Sequence, residues 1–157
     1  MRPRYLPAFI ILSILALDAP AAEVFRQPQP KDKCPVCGMF IARYTSWIVE
    51  IVFRDGSYAA FDGPKDMFKF HADLVKFAPR RKQSDIAAIF ATDYYAVKPI
   101  DGFKAFYVLG SDVHGPMGRE LVSFENQADA REFMKDHQGG RILRFNEITS
   151  DVLRGLD

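Results

Sequence analysis

The chain has 157 residues, of which 48% are hydrophobic and 26% are charged. This length predicts one compact unit, or two small units that share a core, and the composition excludes a disordered chain. The formal net charge is only +1, and leaving out Arg2, Arg4 and Asp18 brings it to zero. Because no basic excess is present, the sequence argues against a nucleic-acid partner.

Residues 1–22 have the three-part layout of a secretory signal. Arg2 and Arg4 precede an apolar run over residues 8–17, and small residues follow at 19–21. The run is shorter than the roughly 20 residues that span a bilayer, and no cysteine stands at its end to carry a lipid. We expect a cleaved leader and a soluble mature protein in the periplasm, with neither a membrane span nor a lipid attached there.

The first predicted unit is a hairpin that runs into a helix. After a Pro-rich linker over residues 23–33, apolar and polar side chains alternate over residues 47–53, which predicts a strand. The Asp55-Gly56 pair provides the turn to a second strand over residues 57–61. Asp62 is the expected N-cap of a short helix, and Pro64 suits its first turn. A loop over residues 72–85 and a strand over 86–92 follow.

The same order then recurs along the chain. Residues 103–109 and 120–124 have strand patterns, residues 125–140 predict a helix that ends at a glycine pair, and residues 141–145 predict a last strand. The sequence therefore predicts an α+β fold. Its two tandem strand-strand-helix-strand repeats, over residues 34–92 and 93–157, form a mainly antiparallel sheet with helices packed on it.

The two predicted hairpins differ in their connections. The first has the minimal Asp55-Gly56 turn, whereas the second has "GSDVHGPMG" over residues 110–118. This segment is longer than a hairpin needs, and it contains His114 and Met117. Long loops on a rigid scaffold often carry functional sites. We therefore expect residues 110–118 to be an exposed loop that contributes to a site.

Both cysteines lie in "CPVCGM", residues 34–39. A closed zinc site needs a second pair of ligands, and three scattered histidines do not supply one, which argues against zinc. A structural disulfide over so short a loop would stabilise the fold little. A thiol-disulfide oxidoreductase that uses Cys34 and Cys37 stays open as an alternative. The pair nevertheless lacks the strand-to-helix junction that usually lowers the pKa of such a thiol.

Met39 indicates a further alternative, a soft metal ion. Thiolate and thioether sulfurs select copper(I) over harder cations. If residues 37–39 are extended, Cys37 and Met39 point to the same side of the strand. Met117 would supply a second thioether from the other repeat. The sequence predicts a copper(I) site of Cys37, Met39 and Met117, with Cys34 and His114 as further candidate ligands.

Three segments, "CPVCGM", "FDGPKDMFKF" and "VHGPMGREL", resemble the NosL family in their order and spacing. The resemblance extends from about residue 33 to residue 145 and implies paired βαβ-type repeats. It also implies a non-enzymatic copper(I)-binding accessory protein whose partner is nitrous oxide reductase or its assembly machinery. In this family a Cys-x-Met pair and a Met-Gly loop are associated with the metal, and they correspond here to Cys37, Met39 and Met117. Many members are lipoproteins, whereas this sequence lacks the lipid-bearing cysteine and has Cys34 in addition.

Overall fold

The structure is a computed structural model that describes residues 24–157, so the leader predicted over residues 1–22 lies outside the described residues. The strands are β1 (Val49–Phe53), β2 (Tyr58–Phe61), β3 (Ile86–Thr92), β4 (Pro99–Asp101), β5 (Phe106–Gly115), β6 (Gly118–Phe124) and β7 (Arg141–Arg144). The helices are α1 (Pro64–Ala72), α2 (Leu74–Phe77), α3 (Gln127–Asp136) and α4 (Ser150–Arg154). Single turns of 3-10 helix cover Ile41–Arg43, Gln83–Asp85 and Phe145–Glu147.

The strands form two antiparallel sheets, with the orders β2-β1-β3-β4 and β6-β5-β7. In each sheet the first strand of a hairpin lies between its hairpin partner and the strand that follows the helix. The predicted α+β class and the repeated strand-strand-helix-strand order are therefore confirmed. β4 extends the first sheet although it follows residue 92, so the predicted boundary between units at that residue stays a prediction.

The second sheet is covered on both faces. On one face, Tyr107 of β5 packs edge-on against Phe68 of α1, with ring centroids 5.1 Å apart. On the other face, Phe124 of β6 packs against Phe133 of α3, also at 5.1 Å. The larger hydrophobic core contains residues of both repeats. The two repeats therefore share one core, as α1 lies between the sheets.

The segment predicted as a linker packs against the first sheet over its described part. The backbone N–H of Arg26 donates to the carboxylate of Glu50 at 2.8 Å, and the Phe25 ring contacts Phe90 edge-on. Glu50 is the second residue of β1 and is fully buried. Burial raises the pKa of its carboxyl to about 7, although the Arg26 N–H and charge oppose the shift.

Three short elements were not predicted from the sequence. α2 lies inside the expected loop over residues 72–85, and its first turn is capped by Asp73, which accepts a hydrogen bond from the Lys76 N–H. β4 has three residues and α4 has five. A helix of about one turn shows no helical repeat, and three residues are too few to show strand alternation. Among the described residues, no helix is both long and apolar enough to cross a membrane.

The prediction of a long exposed loop over residues 110–118 is wrong, because most of this segment continues the two strands of the hairpin. His114 pairs with Arg119 and Gly115 with Gly118, so only Pro116 and Met117 form the turn. Proline suits a tight turn because its φ is already restricted, and Gly118 adopts a left-handed φ of 82°. The additional length is accommodated by a bulge, in which residues 110–113 lie opposite Glu120.

Candidate metal site

The two cysteines lie in a closed turn over residues 34–39. The Cys34 N–H donates to the Met39 carbonyl and the Gly38 N–H to the Cys34 carbonyl, each at 2.9 Å. Gly38 has a left-handed φ of 80°, a conformation that glycine adopts without a steric cost. The expectation that residues 37–39 are extended is therefore wrong. The alternation of a strand no longer supports a shared direction for the Cys37 and Met39 side chains.

The cysteine turn faces the N-terminal end of α1. The helix begins at Pro64, and its N-cap is Gly63, which provides no side-chain hydrogen bond. The prediction that Asp62 caps the helix is wrong, because its carboxylate is directed elsewhere. The Cys37 thiol donates to Asp62 Oδ1 at 3.3 Å. Asp62 therefore connects the end of β2 to the cysteine turn.

A second contact of the same kind lies beside the first. The Cys34 thiol donates to Asp66 Oδ2, which belongs to the first turn of α1, at 3.3 Å. One sulfur or oxygen atom from each of Cys34, Cys37, Asp62 and Asp66 lies within 4.8 Å of the other three. Cys34, Asp62 and Asp66 are 2%, 1% and 3% exposed, and Cys37 is half-buried. We call these four residues the Cys2Asp2 cluster.

The surroundings keep both thiols protonated in the absence of metal. Both cysteines are free. Burial, reinforced by the neighbouring carboxylates, raises the pKa of Cys37 to about 12 and shifts the pKa of Cys34 upward as well. A cation that binds these sulfurs must displace their protons, because the thiolate is the ligand. The cluster therefore contains two protonated thiols, each of which donates a hydrogen bond to a buried carboxylate.

The turn of the second hairpin reaches the same end of α1. The Lys65 ammonium donates to the Met117 carbonyl at 2.9 Å and to the Leu156 carbonyl at 3.3 Å. Lys65 is buried, and it adjoins Asp66 in the first turn of α1. The Met117 side chain is 43% exposed. The fold therefore brings Met117 and both cysteines to one helix end from two different repeats.

The remaining candidate ligands have different surroundings. Met39 is half-buried and contributes the carbonyl that closes the cysteine turn. His114 is exposed and lines a cavity of about 570 Å³ between the second hairpin and α4. Neither side chain forms a hydrogen bond with the Cys2Asp2 cluster among residues 24–157.

Sequence reasoning missed Asp62 and Asp66 as candidate ligands. The search for a second pair considered cysteine and histidine, whereas the second pair consists of carboxylates. They are four residues apart in "DGPKD", with Asp62 just before the N-cap of α1 and Asp66 in its first turn. Because they are about 30 residues from the cysteines in the sequence, their contact with the thiols could not be predicted from a local motif. Only the packing of the turn on α1 brings the two pairs together.

Glu120 connects the second hairpin to the helix end. Its buried carboxylate accepts hydrogen bonds from the backbone N–H groups of Lys65, at 2.6 Å, and Leu121, at 2.9 Å. A Cβ atom on Gly63 or Gly115 would clash with the Glu120 side chain in its present position, so this close approach depends on glycine or on movement of Glu120. Burial raises the pKa of Glu120 to about 8, although the two N–H donors oppose the shift.

We expect Glu120 to make the fold less stable as the pH rises from about 4.5 to about 8. In this interval the folded carboxyl retains a proton that the unfolded chain has lost, so the free energy of unfolding decreases by at most about 1.4 kcal/mol per pH unit. Glu120→Gln should remove this decrease. Urea denaturation at pH 5 and pH 8 measures the free energy of unfolding. Glu132→Gln, at an exposed position of α3, is the control. If the free energies of unfolding of wild type and Glu120→Gln differ by the same amount at both pH values, the raised pKa assigned to Glu120 is contradicted.

Comparison with known proteins gives a consistent result. The family model described as NosL matches residues 25–153. The copper-binding lipoprotein NosL of Stutzerimonas stutzeri is 44% identical over 131 residues, which are 78% of this chain and 65% of that protein. This chain thus spans slightly less than two thirds of that relative. The crystal structure of the copper chaperone NosL from Shewanella denitrificans superposes with a TM-score of 0.68 at 24% identity, covering 83% of this chain and 99% of that one. At 24% identity this structural similarity supports the fold alone.

Proposed function

Since the chain belongs to the NosL family, we propose that it is a copper(I) carrier. It binds the ion through the Cys37 thiolate and the thioethers of Met39 and Met117, and it passes the ion to a copper-accepting partner. The carrier performs no catalysis. Its binding relies on soft sulfur donors, which favour copper(I) over zinc, magnesium or calcium.

The observation that carries the proposal is the meeting of both repeats at the N-terminal end of α1. Two reduced thiols donate there to Asp62 and Asp66, and the turn with the half-exposed Met117 contacts Lys65 of the same helical turn. Each donor of this kind is rare on an ordinary surface, because methionine and cysteine usually pack in the core. Their convergence from distant segments supports a soft-metal site.

Exposure distinguishes the roles of the candidate ligands. Cys37 and Met117 are accessible enough for an ion to arrive from solvent and to leave toward a partner. Cys34 is buried behind Cys37 and would supply a second sulfur from the inner side. His114 remains a candidate on the cavity side of the second hairpin. A site with one open side suits a carrier, because the carrier must release the ion as well as bind it.

The proposed destination is the copper centres of nitrous oxide reductase, or the machinery that assembles them, as the resemblance of the three sequence segments implies. The predicted leader over residues 1–22 supports action in the periplasm. A transfer assay tests this part. Protein loaded anaerobically with copper(I) is mixed with metal-free acceptor, the two are separated, and copper is measured in each. No transfer beyond that from a copper(I) chelator of equal affinity would contradict a delivery role.

The alternative of a thiol-disulfide oxidoreductase is less well supported. Such an enzyme needs one thiol with a lowered pKa, because the thiolate is the nucleophile. Here burial raises the pKa of Cys37 to about 12 and raises that of Cys34 as well. If the reduced protein reduces a disulfide substrate faster than a free dithiol does, the oxidoreductase would be favoured instead.

Met117→Leu should lower copper(I) affinity at least about tenfold, since one soft donor is lost and 1.4 kcal/mol corresponds to a factor of ten. Leucine has nearly the same volume, so the free energy of unfolding should change by less than about 1.5 kcal/mol. Competition with a coloured copper(I) chelator measures the affinity. Met134→Leu on α3, where the side chain packs against the smaller core, is the matched control and should bind copper(I) normally.

His114→Ala completes this comparison. If the thioethers and thiolate suffice, the variant should bind copper(I) like the wild type. If His114 is a ligand, the variant should instead bind copper(I) more weakly, because one donor is lost. An unchanged affinity in Met117→Leu, together with a lower thermal midpoint, would show that Met117 serves packing and not the metal.

A further inference from the structure

Glu50 is a buried carboxyl that the proposed copper(I) site does not use. It is 0% exposed, and the residues opposite it in the first sheet are Ala60 of β2 and Phe90 of β3. Its Oε2 atom accepts the Arg26 N–H at 2.8 Å, whereas Oε1 has no hydrogen-bond partner among residues 24–157. A buried carboxylate with an unpaired oxygen is costly, because no donor compensates for the lost hydration of that oxygen.

Residues 24–28, which we call the N-terminal strap, pack on the face of the first sheet that carries Glu50. The Phe25 ring contacts Phe90 edge-on, with ring centroids 6.1 Å apart. The bond from the Arg26 N–H to Glu50 is the only hydrogen bond between the strap and the rest of the described chain. The position of the strap therefore depends on the same carboxyl that it helps to bury.

Few charged or titratable groups surround Glu50. The strap contributes the Arg26 guanidinium, which lies over the Tyr58 ring of β2 at 5.4 Å, and the Tyr58 hydroxyl donates to Asp32 at 2.9 Å. The residues opposite Glu50 in β2 and β3 are apolar. Burial has the largest effect on the pKa of Glu50 and raises it to about 7, while the Arg26 N–H and charge lower it and the Asp32 charge raises it. Ionisation of Glu50 is therefore unfavourable while the strap is closed.

We propose that loss of the Glu50 proton releases the N-terminal strap and that the strap is thus a pH-sensitive element of the fold. In the closed form a neutral carboxyl costs less to bury than a carboxylate with an unpaired oxygen. Lifting the strap hydrates the carboxylate and removes that cost. Because the closed form retains a proton that the open form has lost, opening becomes more favourable as the pH rises from about 4.5 to about 7. The change is at most about tenfold per pH unit and ends above this interval.

The release is confined to the strap, because the segment that leads into the cysteine turn is held by other bonds. The Asp32 carboxylate accepts the Gln29 N–H at 2.8 Å and the Tyr58 hydroxyl, and the Asp32 carbonyl accepts the Ile41 N–H at 3.1 Å. None of these bonds involves Glu50. The inference is therefore independent of the proposed copper(I) function, and the failure of one leaves the other standing.

Amide exchange of Arg26, followed by NMR on the reduced, metal-free protein at pH 5 and pH 7.5, tests the release. The strap has the same sequence in wild type and in Glu50→Gln, so the ratio of their exchange rates cancels the intrinsic pH dependence of exchange. Relative to Glu50→Gln, the wild-type protection of the Arg26 N–H should fall at least about tenfold between the two pH values. Glu132→Gln, at an exposed position of α3, is the control and should behave like wild type. Equal pH dependence in wild type and Glu50→Gln would overturn the proposal.

Two measurements on the wild type decide the question even if Glu50→Gln folds poorly. The carboxyl-carbon chemical shift of Glu50 should titrate near pH 7, and a midpoint near the ordinary value of about 4.5 would overturn the proposal. Small additions of urea should hardly change exchange at Arg26, because opening of the strap exposes little surface, but should accelerate exchange at Tyr107 in the core. Equal acceleration at both amides would show that Arg26 exchanges by global unfolding and would also overturn a local release.

Discussion

Replacing Cys37 with serine should abolish tight copper(I) binding, whereas Cys34→Ser should only weaken it. Cys37 is half-exposed, at the open side of the proposed site. Cys34 is 2% exposed and lies behind it, against Asp66. Serine removes the soft donor while keeping a small side chain that can still donate to the neighbouring carboxylate. The remaining thioethers carry no charge and cannot replace the thiolate.

Anaerobic competition with a copper(I) chelator measures both cysteine variants. Urea denaturation of the metal-free proteins is the control, because both substitutions should leave the fold intact and the buried Cys34→Ser should cost more stability than Cys37→Ser. Equal loss of copper(I) affinity in the two variants would show a bis-thiolate site and would remove the distinction between an inner and an outer sulfur. Normal binding by Cys37→Ser would disprove the proposed ligand set.

Oxidising the protein with a disulfide oxidant should block copper(I) uptake completely. The two sulfurs lie within 4.8 Å of each other in a closed turn, so both thiols can lose their protons and two electrons to the oxidant and form one disulfide. A disulfide has no thiolate to bind the ion. Counting free thiols before an anaerobic copper(I) titration measures the effect, and reduction with a dithiol should restore uptake.

Cys34→Ser is the matched control for oxidation. It retains Cys37 but cannot form an intramolecular disulfide, so its monomer should still take up copper(I) after the same treatment. Oxidised wild type that binds copper(I) as well as reduced wild type would disprove the role of the thiolate. Loss of uptake by oxidised Cys34→Ser monomer would indicate that oxidation acts at another place.

The repeated hairpin-helix order could be predicted because it depends on local pattern. Alternation over residues 49–53 and the Asp55-Gly56 turn specify a hairpin within one short segment, and the structure has β1 and β2 there. The α3 pattern is equally local, since Ala130 and Phe133 lie three positions apart and are both buried. α2 escaped prediction because a helix of about one turn shows no helical repeat, and β4 because three residues are too few to show alternation.

The predicted site was only partly accessible from the sequence. Cys34, Cys37, Met39 and Met117 could be named as candidate ligands because the chemistry of soft sulfur donors is independent of the fold. The geometry assumed for them was wrong at two places. Residues 34–39 form a turn closed by Gly38 and not an extended strand, and Pro116 and Met117 occupy a tight turn and not a long loop.

The sequence by itself determined the α+β class, the repeated order of elements and the presence of soft sulfur side chains that are candidate ligands. These properties follow from side-chain chemistry and from interactions between near neighbours along the chain. Only the tertiary structure decided that Asp62 and Asp66 face the two thiols and that Met117 lies beside the same helix end. Such contacts join residues more than 20 positions apart, and they depend on how α1 packs between the sheets. A local pattern contains no information about that packing, so the carboxylate half of the cluster became visible only in the folded chain.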